Sequence, residues 1–154
     1  MRITTVGTLM LFLTLAIADV AQAQARTLTG VWRRISFRDS TAQPLQPRLV
    51  PSFVIFSANG YFSQSIMPAG RPKIDKEWKD MSKEELLSLF EDVAAWNGSY
   101  VINGTTLTRT TVSNLDPTAE GNKLVQVVRF AGDTLILTWP NPANRSESRF
   151  LRVR

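Results

Sequence analysis

The sequence of 154 residues contains neither cysteine nor histidine. Without cysteine the chain has no disulfide framework and no thiol chemistry. Histidine is the usual general base near neutral pH and the commonest metal ligand, so its absence argues against zinc enzymes and Ser-His-Asp hydrolases. The sequence also has no glycine-rich phosphate loop and no metal-ligand spacing. We therefore expect no cofactor and no metal site.

Acidic residues are fewer than basic ones: 13 Asp and Glu stand against 18 Lys and Arg, for a formal charge of +5. A basic balance occurs in proteins that bind nucleic acid or anionic membranes. Here the basic residues are scattered, and the sequence has no basic helix and no run of interleaved aromatic residues. We expect a basic soluble protein with no nucleic-acid partner.

The first 23 residues have the pattern of a secretory signal peptide. Arg2 supplies a positive start, residues 6–17 are apolar, and Ala21-Gln22-Ala23 is a small-x-small cleavage site. A membrane anchor is the alternative. The apolar run is too short to span a bilayer comfortably, however, and Asp19 interrupts it.

Cleavage after Ala23, or after Ala25 at the second small-x-small site Ala23-Gln24-Ala25, leaves a mature chain in which we predict one domain over residues 26–154. We expect this domain in the periplasm or outside the cell, with no stable membrane insertion after cleavage. Its length suits one domain that buries its own core. The oligomeric state stays open.

Short segments of strand character alternate with turn residues along the rest of the chain. The predicted strands are residues 31–38, 53–56, 61–67, 100–102, 107–112, 124–130, 134–139 and 149–153. Turns such as Asn59-Gly60 and Asn103-Gly104 join them, because Gly and Asn tolerate positive φ. The run Phe53–Phe56 is apolar throughout, which indicates burial on both faces or at a junction. The pattern predicts an all-β fold, an eight-stranded antiparallel up-and-down β-barrel.

One helix is predicted between the third and fourth strands. Ser82-Lys83-Glu84-Glu85 has the form of a capping box, and an apolar stripe follows from Leu86 to Trp96. Gly98 is expected to end the helix. The stripe suits packing against the barrel wall or over one opening.

Five segments carry a resemblance to a known family. They are Gly30-Val31-Trp32, residues 53–68 followed by Arg71-Pro72, Trp96-Asn97-Gly98-Ser99-Tyr100, the pair Pro117 and Gly121, and residues 132–137. In this order they are similar to the bacterial and fungal lipocalin-like domain family, a group of calycin-type barrels. The resemblance covers nearly all of the mature chain and implies a barrel that takes a small molecule into its interior.

The resemblance is incomplete at interior polar positions. The family commonly has a His where this sequence has Arg109. It also has an Arg pair near Gln126 and Val127, where only the offset Arg129 remains. The family's polar interior chemistry therefore does not transfer residue by residue.

The segment that matches the family places Tyr61 and Met67 inside the barrel, where the Tyr hydroxyl would bind a ligand carbonyl. Tyr61, Ser63, Ser65 and Met67 share one strand face, and Phe62, Gln64 and Ile66 share the other. Alternation by itself leaves open which face is inside. The alternative role for Tyr61 is a core tyrosine bonded to backbone.

Arg109 and Arg129 are the charged candidates in otherwise apolar strands. A buried Arg needs a partner, and a ligand carboxylate bound bidentately would serve. The alternative is that both side chains face solvent, and the burial statistics of Arg favour it.

Four tryptophan and tyrosine positions complete the candidates. Trp96, Tyr100 and Trp139 lie near strand ends and would line the mouth of the cavity, or belong to the ordinary core. In lipocalins the Trp of the first strand plugs the closed end and stacks on a basic residue. The resemblance gives this structural role to Trp32, with Arg149 or Arg152 above it.

Three classes of function follow. The first is an exported barrel that binds a small hydrophobic or amphipathic molecule. The second is a cofactor-free isomerase or cyclase in which Tyr61 and Arg109 orient and polarise an apolar substrate. The third is a structural or interaction barrel with a filled core. The sequence favours the first over an enzyme and does not identify the ligand.

Overall fold

The computed structural model describes residues 28–41, 52–67, 73–91 and 93–154. The predicted signal peptide and the Arg71-Pro72 motif lie outside the described residues. None of the helices in the described ranges has the length and apolar character that a bilayer crossing would need.

Eight antiparallel strands close into one barrel in the part of the chain that the structure describes. They are β1 (Gly30–Arg38), β2 (Phe53–Phe56), β3 (Tyr61–Ile66), β4 (Ala94–Asn103), β5 (Thr106–Asn114), β6 (Lys123–Ala131), β7 (Thr134–Thr138) and β8 (Glu147–Arg152). Each strand pairs with its neighbours in sequence, and β8 closes the ring by pairing with β1. The predicted eight-stranded up-and-down barrel is confirmed.

The helix α1 (Lys83–Phe90) lies between β3 and β4, as predicted. Its capping box is formed: the Glu85 amide donates to Ser82 Oγ at 3.2 Å, and the Ser82 amide donates to the Glu85 carboxylate at 2.8 Å. The prediction that it runs to Trp96 is wrong. Residues from Ala94 onward pair with β3, and this sheet pairing overrides the helical apolar spacing. None of the α1 residues is fully buried.

The barrel interior follows from strand alternation. Along β2, Val54 and Phe56 point inward and are buried, while Ile55 is 45% exposed. The expectation that this apolar run is buried on both faces is wrong, because its second face is the outer wall of the barrel. The core consists of Leu28, Trp32, Val54, Phe56, Phe62, Tyr100, Leu107, Val128, Leu135, Leu137 and Phe150.

The two ends of the barrel differ. The turn end carries the short connections between β2 and β3, β4 and β5, and β6 and β7, where Gly60 and Gly104 adopt positive φ. The loop end carries the longer connections, including the one with α1. At the turn end Trp32 Nε1 donates to the Leu28 carbonyl at 2.7 Å. Of the two arginines considered for Trp32, Arg152 lies over its ring, at 4.1 Å from the centroid.

Candidate functional site

The interior of the barrel contains a buried arginine. Arg109 points inward from β5, between Leu107 and Thr111 on the same face, and is 3% exposed. Its Nη1 donates to Gln64 Oε1 at 2.6 Å, and its Nη2 donates to Gln126 Oε1 at 2.7 Å. We call Arg109, Gln64 and Gln126 the arginine cluster. The expectation from burial statistics that Arg109 faces solvent is wrong, because its side chain lies on the inner face of β5.

Alternation and register bring the cluster together. Gln64 shares the inner face of β3 with Phe62, and Gln126 shares the inner face of β6 with Val128. Strands β3 to β6 are consecutive neighbours in the barrel. Three inward polar side chains therefore meet on one side of the interior. Of these, only Arg109 was a predicted site residue: Gln64 lies in the segment that matches the family and Gln126 at the place of the family's Arg pair, but a neutral amide gave neither a role.

Aromatic rings surround the guanidinium. The Arg109 Cζ atom lies 5.1 Å from the Phe62 ring centroid and 6.0 Å from that of Trp96. Burial among these groups lowers the pKa of Arg109 from its ordinary value to about 10. The side chain nevertheless stays protonated at neutral pH, so the barrel interior contains a full positive charge.

The hydrogen bonding of this cation is incomplete. A guanidinium has more N–H donors than its two bonds to glutamine use. Arg109 Nε is buried and has no hydrogen-bond partner within the described ranges. No carboxylate among the described residues forms an ion pair with Arg109. Arg109 therefore combines deep burial with a donor that no described group satisfies.

A second arginine, which was not among the predicted site residues, points into the barrel from β1. Arg34 is half-buried, two residues along the inner face from Trp32, and desolvation lowers its pKa. Its Nη2 donates to Ser52 Oγ at 3.4 Å, and its Cζ lies 5.7 Å from the Phe37 ring centroid. β1 and β5 are separated by three strands in both directions around the ring, so Arg34 and Arg109 start from opposite walls.

Tyr61 lies on the outside of the barrel. Its side chain is 59% exposed, whereas Phe62 and Gln64 are buried, so the predicted interior position of Tyr61 is wrong. Parity is set by Phe62, which pairs with the inward Phe56 on β2. Met67 follows β3 at the loop end and is half-buried.

The remaining aromatic candidates lie at different heights between the loop end and the turn end of the barrel. Trp96 is half-buried beside the arginine cluster. Tyr100 is buried nearer the turn end, where its hydroxyl donates to the Ser57 carbonyl at 2.7 Å and its ring meets Phe56 edge-on. Trp139 follows β7 at the loop end and is exposed. Tyr100 is the register partner of Arg109 on the neighbouring strand, but its hydroxyl is bonded to backbone; of these three rings, that of Trp96 lies over the guanidinium.

Arg129 faces outward from β6 and is exposed, in contrast to Arg109. Its outward direction follows from its neighbours Val128 and Phe130, which point to the core. The prediction that Arg129 anchors an interior ligand is therefore inconsistent with its position.

Gly98 fixes the wall beside the cluster. The pairing of β4 with β5 shifts register between Asn97 and Gly98, which is a β-bulge. A Cβ atom at Gly98 would lie 1.9 Å from the Thr110 carbonyl oxygen. Only glycine allows β4 and β5 to approach this closely next to Trp96, so a glycine taken as a helix terminator is a packing residue of the sheet.

Comparison with known proteins agrees with this architecture. The sequence model of the lipocalin-like domain matches residues 29–152. A crystal structure of a lipocalin-like protein from Bacteroides uniformis has a TM-score of 0.52 at 14% identity, covering 82% of this chain and 99% of that one. An uncharacterized protein from Bacteroides eggerthii has a TM-score of 0.49 at 10% identity, with the same coverage of the two chains. No curated protein matches the sequence. The chain belongs to the lipocalin-like domain family.

Proposed function

We propose that this protein binds a small amphipathic molecule inside its barrel, with the apolar part against the wall and the polar part at Arg109. The observation that carries the proposal is the arginine cluster. A charged side chain with an unused N–H donor lies next to an apolar core, among a few buried polar groups that include Gln64 and Gln126. Small-molecule sites typically combine an apolar wall with a few placed polar groups.

The size of the barrel supports an interior site for one molecule. Eight strands enclose a space that side chains fill or that holds one small ligand. On the loop-end side, the inner face of β5 changes from Leu107 to Arg109 and Thr111. The apolar rings beside Arg109, those of Phe62 and Trp96, would contact the hydrocarbon part of the ligand.

The enzymatic alternative loses its proposed pair of residues. Tyr61 is exposed on the outer wall and Arg109 is buried inside, so the two groups do not converge on one substrate. Substrate polarisation would need both within hydrogen-bond reach of the same molecule. Binding is therefore the better proposal, and a barrel with a filled core is the alternative that the experiment below addresses.

A fluorescent titration tests the binding proposal without relying on charge. The purified protein is titrated with a medium-chain alcohol that carries a dansyl group. We expect saturable, blue-shifted emission at one probe per chain, displaced by the unlabelled alcohol. If neither this probe nor a charged analogue binds saturably, the binding proposal is wrong and the filled-core alternative holds.

Energy transfer from tryptophan locates the probe. Trp96 lies beside the arginine cluster, whereas Trp78 is exposed on a short 3-10 helix (Trp78–Asp80) outside the barrel. We expect Trp96→Phe to remove more of the transfer to bound dansyl than Trp78→Phe does. An equal loss in the two variants would place the probe on the surface.

The proposed function includes export, which depends on residues 1–23. Expression of the full chain in a Gram-negative host, followed by fractionation and mass measurement, tests this. We expect a periplasmic product that lacks residues 1–23 or 1–25. A full-length product in the cytoplasm would contradict export and leave the binding proposal intact.

A further inference from the structure

The buried charge inside the described part of the barrel is positive, with no buried negative charge beside it. Among the described residues, the fully buried polar and charged side chains are Ser52, Gln64, Arg109, Thr111, Gln126 and Ser146. Arg109 is the only one of these that carries charge, and the set contains no carboxylate. Its hydrogen-bond acceptors are two neutral amide oxygens, which supply partial charge only.

A buried cation usually has an anionic partner, because neutral dipoles compensate only part of its desolvation free energy. The pKa of Arg109 is lowered because its desolvation is not fully compensated. The faces of Phe62 and Trp96 offer further partial negative charge, at distances typical of cation–π contacts. None of these groups accepts a hydrogen bond from Nε, however, which stays without a partner.

The two glutamines hold the guanidinium in one orientation. Nη1 is bonded to Gln64 on β3 and Nη2 to Gln126 on β6, so the group is tied to strands on both sides of β5. A fixed guanidinium is preorganised for an oxyanion, because its remaining N–H donors point in set directions. Arg34, on the opposite wall, adds positive potential without a second fully buried charge.

We infer that the ligand of this barrel is a monoanion with a carboxylate headgroup, bound by the Nε–H and a remaining terminal N–H of Arg109. This inference rests on the proposed function and narrows its ligand class. A carboxylate offers two oxygens to the guanidinium fork, and its single charge equals that of the one fully buried cation. A cationic headgroup would meet like charge, and a neutral hydroxyl would leave the charge of Arg109 uncompensated.

Three dansyl-labelled probes of equal chain length test the inference, with carboxylate, alcohol and trimethylammonium headgroups. We expect the wild-type protein to bind the carboxylate about tenfold or more tightly than the alcohol, because charged hydrogen bonds are stronger than neutral ones. The trimethylammonium probe should bind most weakly. Equal affinity for alcohol and carboxylate would overturn the inference alone, whereas failure of all three probes would overturn the proposed function as well.

Two arginine variants form a matched pair. Arg109→Met keeps most of the side-chain volume and removes the charge, and we expect it to lower carboxylate affinity about tenfold to the level of the alcohol. Arg129→Met removes an equal charge from the outer wall of neighbouring β6 and should leave both affinities unchanged. Retained carboxylate preference in Arg109→Met would overturn the inference. Should Arg109→Met fail to fold, the wild-type headgroup series still decides it.

The pH profile of the wild-type protein gives a further check. Carboxylate affinity should be flat near neutral pH and fall above about pH 10, where Arg109 loses its proton. It should also fall below about pH 4 to 5, where the headgroup becomes protonated. The alcohol should show neither change. A carboxylate profile that parallels that of the alcohol would contradict binding through Arg109.

Discussion

Arg152 and Arg109 are both arginines beside aromatic rings inside one barrel, yet their surroundings differ. Arg152, at the turn end, is half-buried, lies over Trp32, and donates from Nη1 to the Thr29 carbonyl at 2.9 Å. Arg109 is fully buried, donates to two side-chain amides, and keeps an Nε without a described partner. The first arginine contacts solvent and the second does not.

Solvent access decides what each arginine contributes. A cation that reaches water keeps part of its hydration, so its ring contact and hydrogen bond add to stability. A cation removed from water without a counter-charge adds little stability, or lowers it. The turn end therefore has the character of a structural plug, and the arginine cluster that of a binding site. The following predictions test this difference, beginning with the largest effect.

Trp32→Ala should be the most damaging change. The side chain is fully buried at the turn end, and its removal leaves a cavity between Leu28 and Phe130 while Arg152 loses its ring partner. We expect a loss of about 3–5 kcal/mol in the free energy of unfolding, measured by denaturant titration. Trp78→Ala is the control: it removes only an edge-on contact with Phe90 at an exposed position and should cost less than about 1.5 kcal/mol.

The two arginines should respond differently to the same substitution. Arg152→Met removes a cation–π contact and a charged hydrogen bond, and we expect a loss of about 2 kcal/mol. Arg109→Met removes an uncompensated buried charge, which by itself should raise the free energy of unfolding. Gln64 and Gln126 lose their hydrogen-bond partner, which offsets part of this increase. We expect its stability to stay within about 1 kcal/mol of wild type. If Arg109→Met lost more free energy of unfolding than Arg152→Met, the assignment of Arg152 to a structural plug and Arg109 to a binding site would be contradicted.

The two tyrosines of the chain test the inner and outer walls. Tyr100→Phe removes the buried bond to the Ser57 carbonyl and should cost about 1 kcal/mol in thermal or denaturant unfolding. Tyr61→Phe, on the exposed outer wall, should change stability by less than about 0.5 kcal/mol. Similar losses in both variants would be inconsistent with the observed strand parity.

The smallest effect concerns alkaline pH. The pKa of Arg109 is about 10 in the folded protein, below its ordinary value in the unfolded chain, so above pH 10 the unfolded state binds more protons. Stability should therefore rise with pH through this range because of Arg109. Between pH 8 and 10.5 we expect the wild-type protein to gain up to about 1 kcal/mol relative to Arg109→Met, by denaturant titration at each pH. A constant difference between the two proteins would contradict the lowered pKa.

Several strand limits could be predicted because their causes are local. The run Phe53–Phe56 was predicted with the limits that the structure has, since turn residues follow it. The start of α1 was predicted from the Ser82 capping box, which needs only neighbouring residues. The end of α1 was missed, since Ala94 to Trp96 form a strand only through pairing with β3.

The site was only partly predictable. The sequence drew attention to Arg109 and Arg129 together but gave no reason to separate them. Their strands place one inside and the other outside, according to the residues on either side of each. Gln64 and Gln126 were named for their positions but given no role, because a neutral amide becomes informative only when a buried charge bonds to it.

The sequence by itself determined the set of chemical groups and the succession of strands and turns. The absence of histidine and cysteine, the positive-φ glycines and the two-residue alternation depend on neighbours in the chain. The tertiary structure decided which face of each strand is inside, where β5 bulges opposite Asn97 and Gly98, and which arginine is buried. Alternation divides a strand into two faces but does not determine which of them is inside. Closure of the barrel determines the inner face, because that face must pack against, and form polar contacts with, strands that are distant in sequence.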